Sequence, residues 1–119
     1  MVNEVIVDTN ALMLPFQSKL RIEDELQRLL GSYVILVPES VIHELENLSR
    51  GNSDAMAALK YAKKFKVIET DLSGDYSIFD LAIKKKCIVL TNDRILIERL
   101  KKNGIKVIRP RGEKRLDFA

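Results

Sequence analysis

Four carboxylates stand out: Asp8, directly after an apolar run in VIVDTN, Glu44 in VPESVIHELENL, Asp75 in GDYSI, and Asp93 just after an apolar run in LTND. Oxygen donors without cysteine suit a hard divalent cation, Mg²⁺ or Mn²⁺, better than a softer metal. A cation held by such acids activates a water and stabilises the charge that builds on a phosphate. Each acid also has an ordinary use. Asp75 and Asp93 open helical segments, where aspartate is a preferred N-cap. Asp8 can end a strand in an Asx-turn, and Glu44 can snorkel or pair with a lysine. Convergence of all four weakens those readings, because clustered carboxylates repel one another without a cation. No Lys or Arg lies within three residues of Asp8, Glu44 or Asp75; Arg94, beside Asp93, is the exception.

The elements that must position these acids follow from hydrophobic periodicity. Strands are expected at 4–8, 33–37, 66–69, 87–91 and 105–108, and helices at 22–30, 39–50, 54–65, 75–86 and 93–103. Gly31, Gly51 and Gly104 stand at the expected helix ends, and Ser53 is the expected cap of the helix at 54–65. The segments 5–7, 34–37 and 88–90 are continuous apolar runs, as in strands buried on both faces. Repeated strand–helix order therefore predicts an α/β fold, a three-layer α/β/α arrangement with a central, mainly parallel five-stranded sheet.

In such a sheet, ligands bind beyond the carboxyl ends of the strands. Asp8, Asp75 and Asp93 are expected at that edge, Asp75 just after an LSG turn (72–74). On the helix 39–50, at about 100° per residue, Val41, Leu45 and Leu48 share one face and Glu44 falls at its border. A carboxylate turned toward a core is costly unless paired or bound to a cation, which makes Glu44 the most informative helical residue. His43 lies about 100° further round the helix and is expected to face solvent. Asp80, opposite Ile78 and Ala82, stays out of the acid set.

At 119 residues, with 46% hydrophobic and 31% charged, the chain reads as one domain (1–119) ending in a polar, basic, loose tail at 109–119. Its longest apolar run, about five residues, falls far short of a membrane span. No signal-peptide pattern opens it, so a cytoplasmic protein is expected. The single cysteine, Cys87, excludes an internal disulfide and a Cys-rich zinc site, and is expected in the core. The net charge of +3 hides an asymmetry: residues 1–83 carry 8 basic and 13 acidic side chains, residues 84–119 carry 12 and 4. A basic C-terminal third suits a polyanion such as nucleic acid, although lysine-rich helix faces are also ordinary solvated surface. Aromatic residues make up only 6%, with no Trp, which argues against a base-stacking platform.

The order VDTN, HEL, GDYSI and LTND resembles the PIN-domain ribonucleases, over nearly the whole chain from Val5 to about Pro110. The resemblance implies an α/β/α fold and a metal-dependent endoribonuclease that hydrolyses RNA phosphodiesters. It assigns Asp8, Glu44, Asp75 and Asp93 as catalytic, metal-binding acids for Mg²⁺ or Mn²⁺. Thr9, Asn10, Thr91 and Asn92 match the family's polar residues around the first and last acids. RNA is the implied partner, with Lys84, Lys85, Lys86, Arg94, Arg99, Lys101 and Lys102 as candidates to follow its backbone; a homodimer is also implied. VPESVIHELENL looks closer to the PIN nucleases of ribosomal-RNA processing than to VapC-type toxins, for which a protein inhibitor would be a further partner. Other readings are a non-catalytic RNA-binding or assembly factor on the same scaffold, and a haloacid-dehalogenase-type phosphatase. The latter usually carries a second Asp two residues after the first, where this chain has Asn10.

Overall fold

In the computed structural model, which describes residues 2–70 and 74–119 apart from the side chains of 74 and 75, strand and helix alternate. The elements are β1 (Asn3–Val7), α1 (Thr9–Gln17), α2 (Ile22–Leu30), β2 (Tyr33–Pro38), α3 (Glu39–Leu48), α4 (Ser53–Ala62), β3 (Lys66–Ile68), α5 (Gly74–Lys85), β4 (Ile88–Leu90), α6 (Arg94–Lys102), β5 (Val107–Arg111) and β6 (Arg115–Phe118). The sheet order is β3-β2-β1-β4-β5-β6, parallel throughout except for β6. The apolar runs predicted to be buried on both faces are so at Val5, Ile6, Val7, Ile35, Leu36, Val37, Ile88, Val89 and Leu90, which lie in the core, whereas Val34, near the start of β2, is exposed.

Chain direction reverses at the centre of the sheet. From β1 the chain moves outward to β2 and β3, then returns past β1 to β4 and β5. Right-handed crossovers place the helices of the two halves on opposite faces. Accordingly α4 packs on α1 and α3, while α5 packs on α6. Among the described residues no helix is long and apolar enough to cross a membrane.

The structure departs from the sequence reading in three of its helices. Residues 9–17 form a helix that periodicity did not suggest, because Ala11, Leu12 and Met13 are consecutive buried residues and Pro15 interrupts the pattern. The α4 cap is Asn52, whose side-chain oxygen accepts from the Ala55 N–H at 3.0 Å, and not Ser53. The third helix stops at Leu48, which is 40% exposed and does not share the buried face of Val41 and Leu45. The expected LSG turn at 72–74 lies outside the described residues, apart from Gly74, which opens α5.

The basic tail is not loose: it turns back as β6, which adds a sixth, antiparallel strand. Leu116 faces Pro110 at a position of the antiparallel ladder where facing residues turn their polar groups away from each other. The missing proline N–H therefore costs no bond to β6, and Leu116 presents its own polar groups outward. Helix α2 takes both: the Glu25 carboxylate accepts from the Leu116 N–H at 2.9 Å, and the Arg28 guanidinium donates to the Leu116 carbonyl at 2.7 Å. An edge strand is thereby covered by a side-chain pair. The hydrogen bond from Arg28, reinforced by the Leu116 N–H, holds the Glu25 carboxyl below its ordinary pKa. A depressed carboxyl pKa stabilises the fold above its unfolded value and loses that contribution as pH falls through the folded value. Glu25→Gln is therefore expected to flatten the acid limb of stability below about pH 4.5, as read from urea denaturation at stepped pH.

Candidate functional site

β1 and β4 lie side by side, and the connections leaving them run to opposite faces of the sheet. This is the topological switch point of an open α/β sheet, where a crevice forms beyond the strand ends. Asp8 follows β1 and caps α1: its Oδ1 accepts from the Ala11 N–H at 2.8 Å, while its own N–H donates to the Leu90 carbonyl at 3.3 Å. Thr91 follows β4, is fully buried, and donates its hydroxyl to Asp8 Oδ2. The same hydroxyl oxygen accepts from the Asp93 N–H at 3.1 Å. Asp93 in turn caps α6, its Oδ1 accepting from Ile95 and Leu96 at 3.0 and 3.1 Å. One buried threonine thus ties two carboxylates together, each seated at the positive end of a helix.

Asp8, Glu44 and Asp93 line one cavity of about 60 Å³, with Thr9, Asn10, Ser40, Val41 and Ile78. Asp93 is an N-cap and also lines the cavity, since capping uses one oxygen and leaves the carboxylate on the cavity wall. Asp8 is likewise a helix cap and not the end of a strand turn. Glu44 needs a correction: it is exposed and stands at the mouth instead of pressing on the core. Position above the end of the sheet brings it to the cavity, not burial. The Asp75 side chain lies outside the described residues.

Sequence reasoning missed Ser40 and Ser77. Their hydroxyls are 2.6 Å apart, joining α3 to α5 beside the cavity, and Ser77 is buried. A serine inside a helix carries no pattern to mark it. Thr9 is buried and Asn10 is exposed, both on the cavity wall; Asn92 is exposed. His43 faces solvent as expected. Asp80 pairs with Lys84 at 3.0 Å and does not line the cavity. Cys87 is buried, its thiol pKa pushed up to about 11 by burial and by the neighbouring Glu4 carboxylate, which marks it as structural.

The basic residues divide. Arg94 opens α6 at the cavity's edge of the sheet. Lys84, Lys85, Lys86, Lys101 and Lys102 lie at the ends of α5 and α6, which run against the strands, and so fall at the opposite edge. Lys86 shares a hollow with Asn3, where β1 begins. The length of that strand, about 16 Å, separates Asn3 from the acids, so these lysines do not flank the cavity as expected. Arg99, at the start of the last turn of α6, stacks on aromatic rings of α5.

The donor set fits a hard divalent cation: carboxylate oxygens, hydroxyls and an amide, with no soft ligand on the wall. Among the described residues no three Asp, Glu, His or Cys side chains close tightly enough to grip an ion directly.

A family model described as a PIN like domain matches residues 5–113. Ribonuclease VapC9 of Archaeoglobus fulgidus is 38% identical over 107 residues, covering 86% of this chain and 78% of that protein. Ribonuclease VapC4 of Methanocaldococcus jannaschii is 30% identical over 121 residues, covering 93% and 92%. Among solved structures, the PIN domain endonuclease Utp24 superposes with a TM-score of 0.83 at 27% identity, over 97% of this chain and 90% of that one.

Proposed function

The chain belongs to the PIN-domain family, and from that premise we propose that it is a metal-dependent endoribonuclease. The observation that carries the reading is the convergence of Asp8, Glu44 and Asp93, from three separate segments, on one cavity at the switch point of the sheet. Asp8, Glu44 and Asp93, with Asp75 opening α5 nearby, would hold Mg²⁺ or Mn²⁺. When bound, the cation would lower the pKa of a water and neutralise charge on the scissile phosphate. Thr91 fixes the direction of Asp8 and the backbone of Asp93. Asn10, exposed on the cavity wall, would donate to a phosphate oxygen, and Arg94 would add a positive charge at the same edge.

Two sequence relatives are ribonucleases that carry the VapC name and one structural relative is the PIN domain endonuclease Utp24; the family resemblance offers two cellular roles, a toxin ribonuclease with a protein inhibitor or a nuclease of ribosomal-RNA processing. The 38% identity to VapC9 favours the first. Co-purification with the product of the adjacent gene would separate them. The cytoplasmic, homodimeric form expected of the family belongs to this proposal.

The full chain is expected to cut single-stranded RNA internally in Mn²⁺ or Mg²⁺, to stop on addition of EDTA, and to recover when Mn²⁺ is restored in excess. Binding of RNA without cutting in either metal would replace the nuclease with an assembly factor. Release of phosphate from a generic phosphomonoester without chain cleavage would point to a phosphatase.

A further inference from the structure

Tyr76, in the first turn of α5, is 66% exposed, although it carries one of the largest apolar surfaces in the chain. One side of its ring is occupied: the Arg99 guanidinium from α6 lies 5.6 Å from its centroid and 4.4 Å from that of Phe79. Phe79 is half-buried and packed against the core. Arg99 is thus braced on Phe79 and in turn backs Tyr76, a cation–π arrangement that restricts the ring and leaves its outer face to solvent. Both α5 and α6 start at the cavity's edge of the sheet. Ile78, two residues after Tyr76, lines the cavity, and so does Asp93, which caps α6. Ile95, 72% exposed in the first turn of α6, adds a second apolar side chain at this edge.

We propose that Tyr76, backed by Arg99, is a stacking platform for a nucleobase of single-stranded RNA adjacent to the scissile phosphate. The proposal rests on the nuclease reading and gives it a substrate preference: unpaired RNA, whose bases can leave their own stack to lie on a protein ring. A flat ring takes any base by its π-face, and Arg99 supplies a positive charge behind it that favours the electron-rich base and the nearby phosphates. A low overall content of aromatics does not exclude a platform, because one placed ring suffices. The lysines at the far edge of the sheet contribute charge but cannot orient a base at the cavity.

Equilibrium binding of a single-stranded oligoribonucleotide, measured in EDTA so that no cleavage intervenes, tests this. Tyr76→Ala is expected to weaken binding about 5- to 100-fold, while Tyr76→Phe stays within about twofold of the unaltered protein. An oligomer with abasic riboses should bind the unaltered chain and Tyr76→Ala equally weakly. Tyr76→Trp places the chain's only tryptophan at this position; its fluorescence should be quenched saturably by the intact oligomer and not by the abasic one. Unchanged affinity of Tyr76→Ala, or equal affinity of the unaltered chain for intact and abasic RNA, would overturn the platform even if the protein cuts RNA. Loss of base-dependent binding in Tyr76→Ala would uphold it even if the unaltered protein never cuts.

Discussion

Asp8→Asn is expected to reduce RNA cleavage by about 10³-fold or more while leaving the fold almost intact. The size of the loss follows from removing one anionic ligand of a cation that supplies several kcal/mol of transition-state stabilisation. The preserved fold follows from the local geometry. Asp8 Oδ1 accepts from the Ala11 N–H as the cap of α1, and asparagine caps a helix about as well as aspartate. The Thr91 hydroxyl, which donates to Oδ2, can rotate to accept from an amide nitrogen at the same position. The variant therefore separates charge from scaffold. Cleavage assays in Mn²⁺, with urea denaturation in parallel, would read both. Cleavage at the original rate would mean that the assigned acids are not the site. Asp8→Ala is a poorer probe, since it also removes the cap, at a cost of about 1 kcal/mol.

Thr91→Val makes the second large change, and it strikes activity and stability together. Valine has nearly the same shape, so the core around this fully buried side chain keeps its packing. What disappears is one oxygen with two functions: donor to Asp8 and acceptor for the Asp93 N–H. An N–H left unpaired there costs about 1–3 kcal/mol. With Asp8 no longer held from behind, cleavage should fall about 10- to 100-fold, the usual penalty for losing the group that orients a metal ligand. Thr91→Ser restores the hydroxyl and should recover most of the activity, with a smaller stability loss from the missing methyl. If the valine variant matched the parent in both urea midpoint and cleavage rate, the threonine link would have no role in holding the site.

These two residues also show how far the sequence could be read. Asp8 was conspicuous because a carboxylate directly after Val5, Ile6 and Val7 breaks an apolar run. Thr91 stood out only as a polar neighbour of Asp93 matching a family pattern; that it reaches Asp8 depends on β1 and β4 being adjacent, 83 residues apart in sequence. Glu44 was found for an incomplete reason. Its place at the border of an apolar helix face was correct on the wheel, but α3 ends at Leu48, and the carboxylate is exposed. Tyr76 was passed over because composition counts rings without saying where one is placed.

Local chemistry was enough to determine the alternation of strand and helix, the burial of the central strands, the parallel α/β class and the identity of the candidate acids. Those properties depend on side-chain period and on the residue types that end each element, which are written within about ten consecutive positions. Tertiary structure alone decided which strands lie side by side, that β1 and β4 meet at the switch point, that Ser40 touches Ser77, and that the basic tail returns as β6 under Glu25 and Arg28. It also decided which basic residues stand near the acids and which stand a strand's length away. Such relations join residues tens of positions apart, and what selects them is the closing of one shared core and the pairing of every buried polar group, conditions no local stretch of the chain contains.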